Sequence, residues 1–176
     1  MPNYRRAFVP GGCWFFTVNL LERRNTLLVD HIAVLRDAVV RTRQRLPFEI
    51  DAVVVLPDHL HAVWTLPPGD ADFPTRWRLI KTHFARALPK AERLSAVRRK
   101  RHERGIWQRR FWEHLTRDET DYARHVAYCM INPVRYGLVG RVQDWPYSSF
   151  HRDVRRGVFP LDWAGDARIE GEFGEA

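Results

Sequence analysis

Apolar residues recur along this chain with two different periods. Cys13 to Leu21, CWFFTVNLL, is aromatic and β-branched behind the breaker PGG and predicts a strand. Ile32, Leu35, Val39 and Leu46 then return at helical spacing, with Arg36, Arg41, Arg43 and Arg45 between them. This is an amphipathic helix that Asp30 is placed to cap and Pro47 to stop. FEIDAVVVL and HLHAVWTL are two more strand-like runs, and the Pro-Asp-His between them predicts a tight antiparallel hairpin. After the PPGD loop a second helix is predicted from Phe73 to Leu88, with Trp77, Ile80, Phe84 and Leu88 on its apolar face. RLSAVRRKRHERG has no clear period and reads as a loop or frayed helix. IWQRRFWEHLTR alternates as a fourth strand. DETDYARHVAYCMINP predicts a third helix, with Asp118 as its cap, acids in its first turn and Pro133 at its end. WPYSSFHRD and the acidic end after Leu161 read as mostly irregular.

The resulting order, β-α-β-β-α-β plus one helix, predicts an α+β fold: a ferredoxin-like antiparallel sheet with an extra C-terminal helix. Helices are expected on one face of the sheet. No repeat or linker splits the chain, so 1–160 reads as a single domain and 161–176 as an acidic C-terminal tail.

Composition narrows the partners. With 176 residues, 45% of them hydrophobic, the chain can bury a sizeable core. Its formal net charge of +8 points to a polyanion, nucleic acid first. Two cysteines without a C-x-x-C spacing argue against a disulfide framework and fit a reducing compartment. The start MPNYRRAFVPGG lacks a signal-peptide core, and no apolar run is long enough to span a bilayer. The default expectation is a soluble cytoplasmic protein with no membrane partner.

Candidate chemistry lies in two places. His59 and His61 alternate with Leu60 and Ala62, so both imidazoles point to one face of a strand and can share a metal ion. Taken alone, an H-x-H pair equally describes ordinary sheet histidines bonded to backbone or water. In the last predicted helix, at about 100° per residue, Tyr122, Val126, Cys129 and Met130 form a core stripe. A second stripe about 120° away carries Asp121, His125, Tyr128 and Asn132. Tyr128 is then either a half-buried aromatic with a wet hydroxyl or a nucleophile. Asn132 is either a helix-terminating residue before Pro133 or an amide ligand to a metal. His125, one turn from Tyr128, is a candidate proton-transfer aid or a solvent-facing histidine. Tyr122 falls on another face, which argues against a paired-tyrosine mechanism.

Cations gather next to aromatics. Arg98, Arg99, Lys100, Arg101, Arg104, Arg109 and Arg110 are interleaved with Trp107, Phe111 and Trp112, and Arg5, Arg6, Lys81 and Arg86 add to them. Cations hold phosphates and aromatic faces stack on unpaired bases, so these are the candidate DNA contacts. Some of these cations are expected simply to face solvent, and Trp112 and Trp145 lean towards the core.

VVVLPDHLHAVW followed by YCMINPVRYGLV resembles the REP-associated tyrosine transposases, relatives of the small insertion-sequence transposases with a His-hydrophobic-His (HUH) motif and a single tyrosine. RRAFVPGGCWFFTVNL, WRLIKTHFARAL, IWQRRFWEHLTRDETDYARHVAY and DWPYSSF extend the resemblance over nearly the whole chain. It implies that His59 and His61 bind a divalent metal, Mg²⁺ or Mn²⁺, that Asn132 completes that site, and that Tyr128 is the nucleophile. It implies cleavage and rejoining of single-stranded DNA through a 5′-phosphotyrosine link, on hairpins of the repetitive extragenic palindrome (REP) type. It further implies a monomer in the bacterial cytoplasm, near the nucleoid. Met130 and Tyr136 depart from the family, where histidine is common at both positions. Two rivals are a metal-dependent phosphodiesterase that activates water and a non-catalytic nucleic-acid-binding module.

Overall fold

A computed structural model describes residues 6–175. Four strands, β1 (Cys13–Asn19), β2 (Glu49–Val55), β3 (His59–Thr65) and β4 (Trp112–Leu115), form one sheet in the order β2-β3-β1-β4. Every neighbouring pair is antiparallel, which is the ferredoxin-like arrangement that the element order predicts. Helices α1 (Leu27–Asp30) and α2 (Ile32–Arg45) follow β1, and α3 (Phe73–Ala87) and the short α4 (Ala96–Lys100) follow β3. Helix α5 (Glu119–Arg135) follows β4, and α6 (Phe150–Arg155) comes last.

The sheet is covered on both faces, not one. Trp14, Phe16 and Val18 of β1 join Leu60, Ala62 and Trp64 of β3 under α2 and α3, where Trp64 stacks on Trp77 at 4.1 Å. Phe15, Ala52, Val54 and Val63 point the other way and are covered by Val126, Tyr128 and Cys129 of α5, Phe150 of α6 and Phe173 of the tail. The reason lies in β1: CWFFTVN is apolar on both sides, as in a strand sandwiched between layers.

Other differences are local. Asp30 ends α1 and accepts the Thr26 hydroxyl at 2.6 Å; His31 precedes α2 without a side-chain cap. The fourth strand shrinks to Trp112–Leu115; before it, Trp107 makes an isolated bridge to Leu20, and the carbonyls of Trp107 and Gln108 also accept from Arg98 and Lys81. Part of WPYSSFHRD is helical, as α6. Asp118 caps α5 as expected, accepting from the Asp121 N–H at 2.8 Å, and the helix runs past Pro133 to Arg135.

The outer edge of β2 is closed by the chain after α5. Val55 N–H donates to the Tyr147 carbonyl and Ser149 N–H to the Val53 carbonyl, both at 2.8 Å, and the Ser149 hydroxyl accepts the Val53 N–H at 3.0 Å.

Candidate active site

His59 and His61 leave β3 on the face covered by α5, with their rings 5.0 Å apart. The Asp58 carboxylate can only accept, so His59 Nδ1 donates to it at 2.6 Å and His59 Nε2 carries the lone pair. Burial opposes ionisation of Asp58, but hydrogen bonds from His59 and Arg23 outweigh it and hold the carboxyl at about 2. Arg23 is itself anchored on Asn19 Oδ1 at 2.8 Å.

His61 reaches the same tautomer by another route. The single proton of the Thr17 hydroxyl goes to the Phe173 carbonyl at 2.6 Å. Thr17 Oγ1 must then accept from His61 Nδ1, at 2.8 Å, which frees Nε2. Burial depresses His61 to about 4, so the imidazole is neutral near pH 7. Fixing Nδ1 of a histidine with an acceptor is how proteins aim Nε2 at a metal.

Helix α5 brings Tyr128 against this pair, its ring 5.2 Å from that of His61. Tyr128 is 0% exposed, so the expected wet hydroxyl is a closed one. Burial, and then the neighbouring Glu175 carboxylate, push its ionisation far above the usual phenol range. Asn132 donates its amide N–H to the Tyr128 carbonyl at 3.2 Å, one turn back, and its Oδ1 has no donor among the described residues. His59 Nε2, His61 Nε2, the Tyr128 hydroxyl and Asn132 Oδ1 are all buried without a hydrogen-bond partner among the described residues. Four orphaned polar atoms on one face are costly unless a further group satisfies them. Two imidazoles and an amide oxygen fit a divalent cation.

The sequence reading missed the cover of this site. Glu175 places Oε1 3.2 Å from His61 Nε2, without hydrogen-bond alignment, and with His59 and His61 completes a set of metal-ligand atoms lying within 4.8 Å of one another. Phe173 stacks flat on Tyr128 at 3.6 Å and 7°. Gly174 has a φ of +66°, and a Cβ there would collide with Trp112. Arg135 sits 5.5 Å over the Tyr128 ring and donates to the carbonyls of Ala167 and Ile169, tying down the same tail. Nothing in the polar run GEFGEA signals this, since the contacts are between residues more than thirty positions apart.

His125 points elsewhere than the Tyr128 hydroxyl. Its Nδ1 donates to the Asp121 carbonyl at 2.8 Å and its ring stacks on His114 at 4.6 Å. It is buried, so it is not the solvent-facing histidine of the alternative.

The expected DNA contacts divide. Arg86, Arg99, Lys100, Arg101 and Arg110 are exposed and have no carboxylate partner among the described residues. Arg109 is exposed but paired with Glu103 at 2.9 Å. Arg6 pairs with Glu113 at 2.8 Å and lies 5.0 Å over the Phe111 ring. Lys81 donates to the Gln108 carbonyl at 2.9 Å, and burial lowers it to about 8. Arg98 is committed to the carbonyls of Arg104 and Trp107, and Arg104 to those of Ala85, Leu88 and Pro89. Trp107 is 7% exposed and packs on Phe84, whereas Trp112, expected in the core, is 37% exposed. Trp145 is partly buried, its indole N–H on the Val55 carbonyl. Arg5 lies outside the described residues.

No family model matches the chain. It is 51% identical to a REP-associated tyrosine transposase of Escherichia coli K12 over 94% of this chain and 93% of that one. It is 47% identical to a putative REP-associated tyrosine transposase of Haemophilus influenzae over 98% of this chain and 100% of that one. Among solved structures, one of a REP-associated tyrosine transposase bound to a REP hairpin superposes with a TM-score of 0.88 at 49% identity, covering 100% of this chain and 98% of that one.

Proposed function

The chain belongs to the REP-associated tyrosine transposases, and from that premise we propose that it cleaves and rejoins single-stranded DNA at REP-type hairpins by attack of Tyr128. The observation that carries the reading is the placement of Tyr128 against two histidines whose Nε2 atoms are both buried without a hydrogen-bond partner among the described residues. His59, His61 and Asn132 would hold a divalent cation, Mg²⁺ or Mn²⁺, with Glu175 as a fourth donor while the tail is seated. When bound, such an ion supplies Lewis-acid polarisation of the scissile phosphate.

This chain's residues do the rest. The Tyr128 oxygen forms a bond to phosphorus, the P–O3′ bond breaks, and the products are a 5′-phosphotyrosine and a free 3′-hydroxyl. The tyrosine proton leaves to water and the departing 3′-oxygen takes one up. Attack by a 3′-hydroxyl on the phosphotyrosine reverses the step without an external energy source. Since Tyr128 is closed in by Phe173, the tail must withdraw before a phosphate can reach it. The exposed cations Arg99, Lys100, Arg101 and Arg110 are available to phosphates of the hairpin. Nucleophile and histidines come from one chain, which supports action as a monomer.

The test is incubation with a single-stranded REP-type hairpin and Mn²⁺, followed by denaturing electrophoresis. The native protein should give a denaturation-resistant adduct, and Tyr128→Phe should bind the hairpin without forming one. Cleavage by Tyr128→Phe without an adduct would establish the water-activating phosphodiesterase instead. Binding without cleavage by either protein would establish the binding module.

A further inference from the structure

A second group of ligand-type side chains lies outside the site just described, where β4 meets the start of α5. His114 on β4 and Asp121 and His125 on α5 each bring one ligand atom within 4.8 Å of the others. His114 Nε2 is 2.8 Å from Asp121 Oδ2, and His125 Nδ1 is 3.2 Å from Asp121 Oδ1. The His125 Nδ1 proton is already given to the Asp121 carbonyl, so Asp121 Oδ1 receives no donor among the described residues. His125 Nε2 is likewise buried without a partner among the described residues. Asp121 is 5% exposed and His125 3%, while His114 is partly open to solvent and offers a way in. An ionised carboxylate oxygen left bare at that depth is the kind of orphan that native interiors avoid.

We propose that His114, Asp121 and His125 form a second cation site, separate from His59 and His61, that takes a zinc-class divalent ion and pins β4 to the first turns of α5. Two imidazoles and one carboxylate are a common ligand set for zinc, with water in the remaining position. Each imidazole binds through a nitrogen lone pair and keeps its proton on the other ring nitrogen, so His114 shifts its proton from Nε2 to Nδ1 on coordination. The ion supplies the missing partner for Asp121 Oδ1. None of the three residues is needed for the phosphoryl transfer proposed above, so this site stands or falls independently of it. Its role is to hold the strand and the helix that carries Tyr128 in fixed register.

The experiment uses the full chain with His59→Ala and His61→Ala, which removes the other histidine pair. After chelation and dialysis against Zn²⁺, this protein should retain zinc stoichiometrically by atomic emission, and zinc should raise its melting temperature. Adding His114→Ala should lower zinc affinity by at least about tenfold and abolish the thermal shift. His114→Gln, which keeps a hydrogen-bond donor for Asp121, must lose zinc in the same way and serves if the alanine variant unfolds. The proposal is overturned if the His59/His61 variant holds no zinc, or if zinc content is unchanged by both His114 substitutions. Zinc lost on either substitution with the far-ultraviolet spectrum intact supports it.

Discussion

Phe173→Ala tests whether the seated tail limits the reaction. Burying the phenyl ring contributes about 3 kcal/mol. Its stack on Tyr128 adds about 1 kcal/mol. The Thr17 hydroxyl bond to its carbonyl adds about 1 kcal/mol. Against these, fixing the backbone of Glu172, Phe173 and Gly174 costs about 1 kcal/mol or slightly more at each residue. The seated tail is thus favoured by about 1–2 kcal/mol, and the open form is outnumbered roughly 5- to 30-fold. Truncating Phe173 removes the main favourable contribution, so single-turnover cleavage of a labelled hairpin should speed up by about that factor. Gly174→Ala should act in the same direction without touching any site residue, because its new Cβ collides with Trp112 in a backbone conformation that disfavours it. Unchanged or slower cleavage by both variants, with melting temperatures near that of the native protein, would refute the reasoning.

Three further outcomes follow from contacts already described. Asp58→Ala removes the acceptor that fixes His59, and the Mn²⁺ concentration giving half-maximal cleavage should rise by about 10- to 100-fold. Arg76, 1% exposed and bonded to Asp70 and the carbonyls of Leu46, Pro47 and Asp72, ties α3 to the α2–β2 loop; Arg76→Ala should destabilise the fold by about 3 kcal/mol in urea denaturation. The Glu92 carboxyl is held at about 2 by its hydrogen bonds from Arg104. A depressed carboxyl stabilises the fold above its ordinary value of 4.5, and that contribution is lost as pH falls from there towards 2. Denaturant midpoints measured between pH 6 and 3 should therefore fall less steeply for Glu92→Gln than for the native chain.

How much could be read beforehand depended on whether the signal was local. Alternation placed His59 and His61 on one face, and the helical period put Tyr128 and Asn132 together, because both depend on backbone geometry alone. The second sheet face was visible in principle, in the doubly apolar CWFFTVN, but a single added helix was not enough to say which face it would take. Trp107 and Trp112 exchanged their expected surroundings because Trp107 bridges to Leu20 and packs on Phe84 while Trp112 lies on the short edge strand, both set by contacts far apart in sequence. Asp58 was visible only as a turn residue and Thr17 only as part of an apolar strand. Their hydrogen bonds to the histidines depend on how the strands and tail assemble. Glu175 and Phe173 carried no periodic or motif signal.

The closed edge of β2 has a consequence for kinetics. Tyr147 to Ser149 occupy the backbone groups that another chain would need in order to extend the sheet there, and β4 at the opposite edge runs for only four residues. Strand exchange between copies has little to grip. The cleavage rate should therefore rise in simple proportion to protein concentration, and dilution should leave the turnover of each chain unchanged.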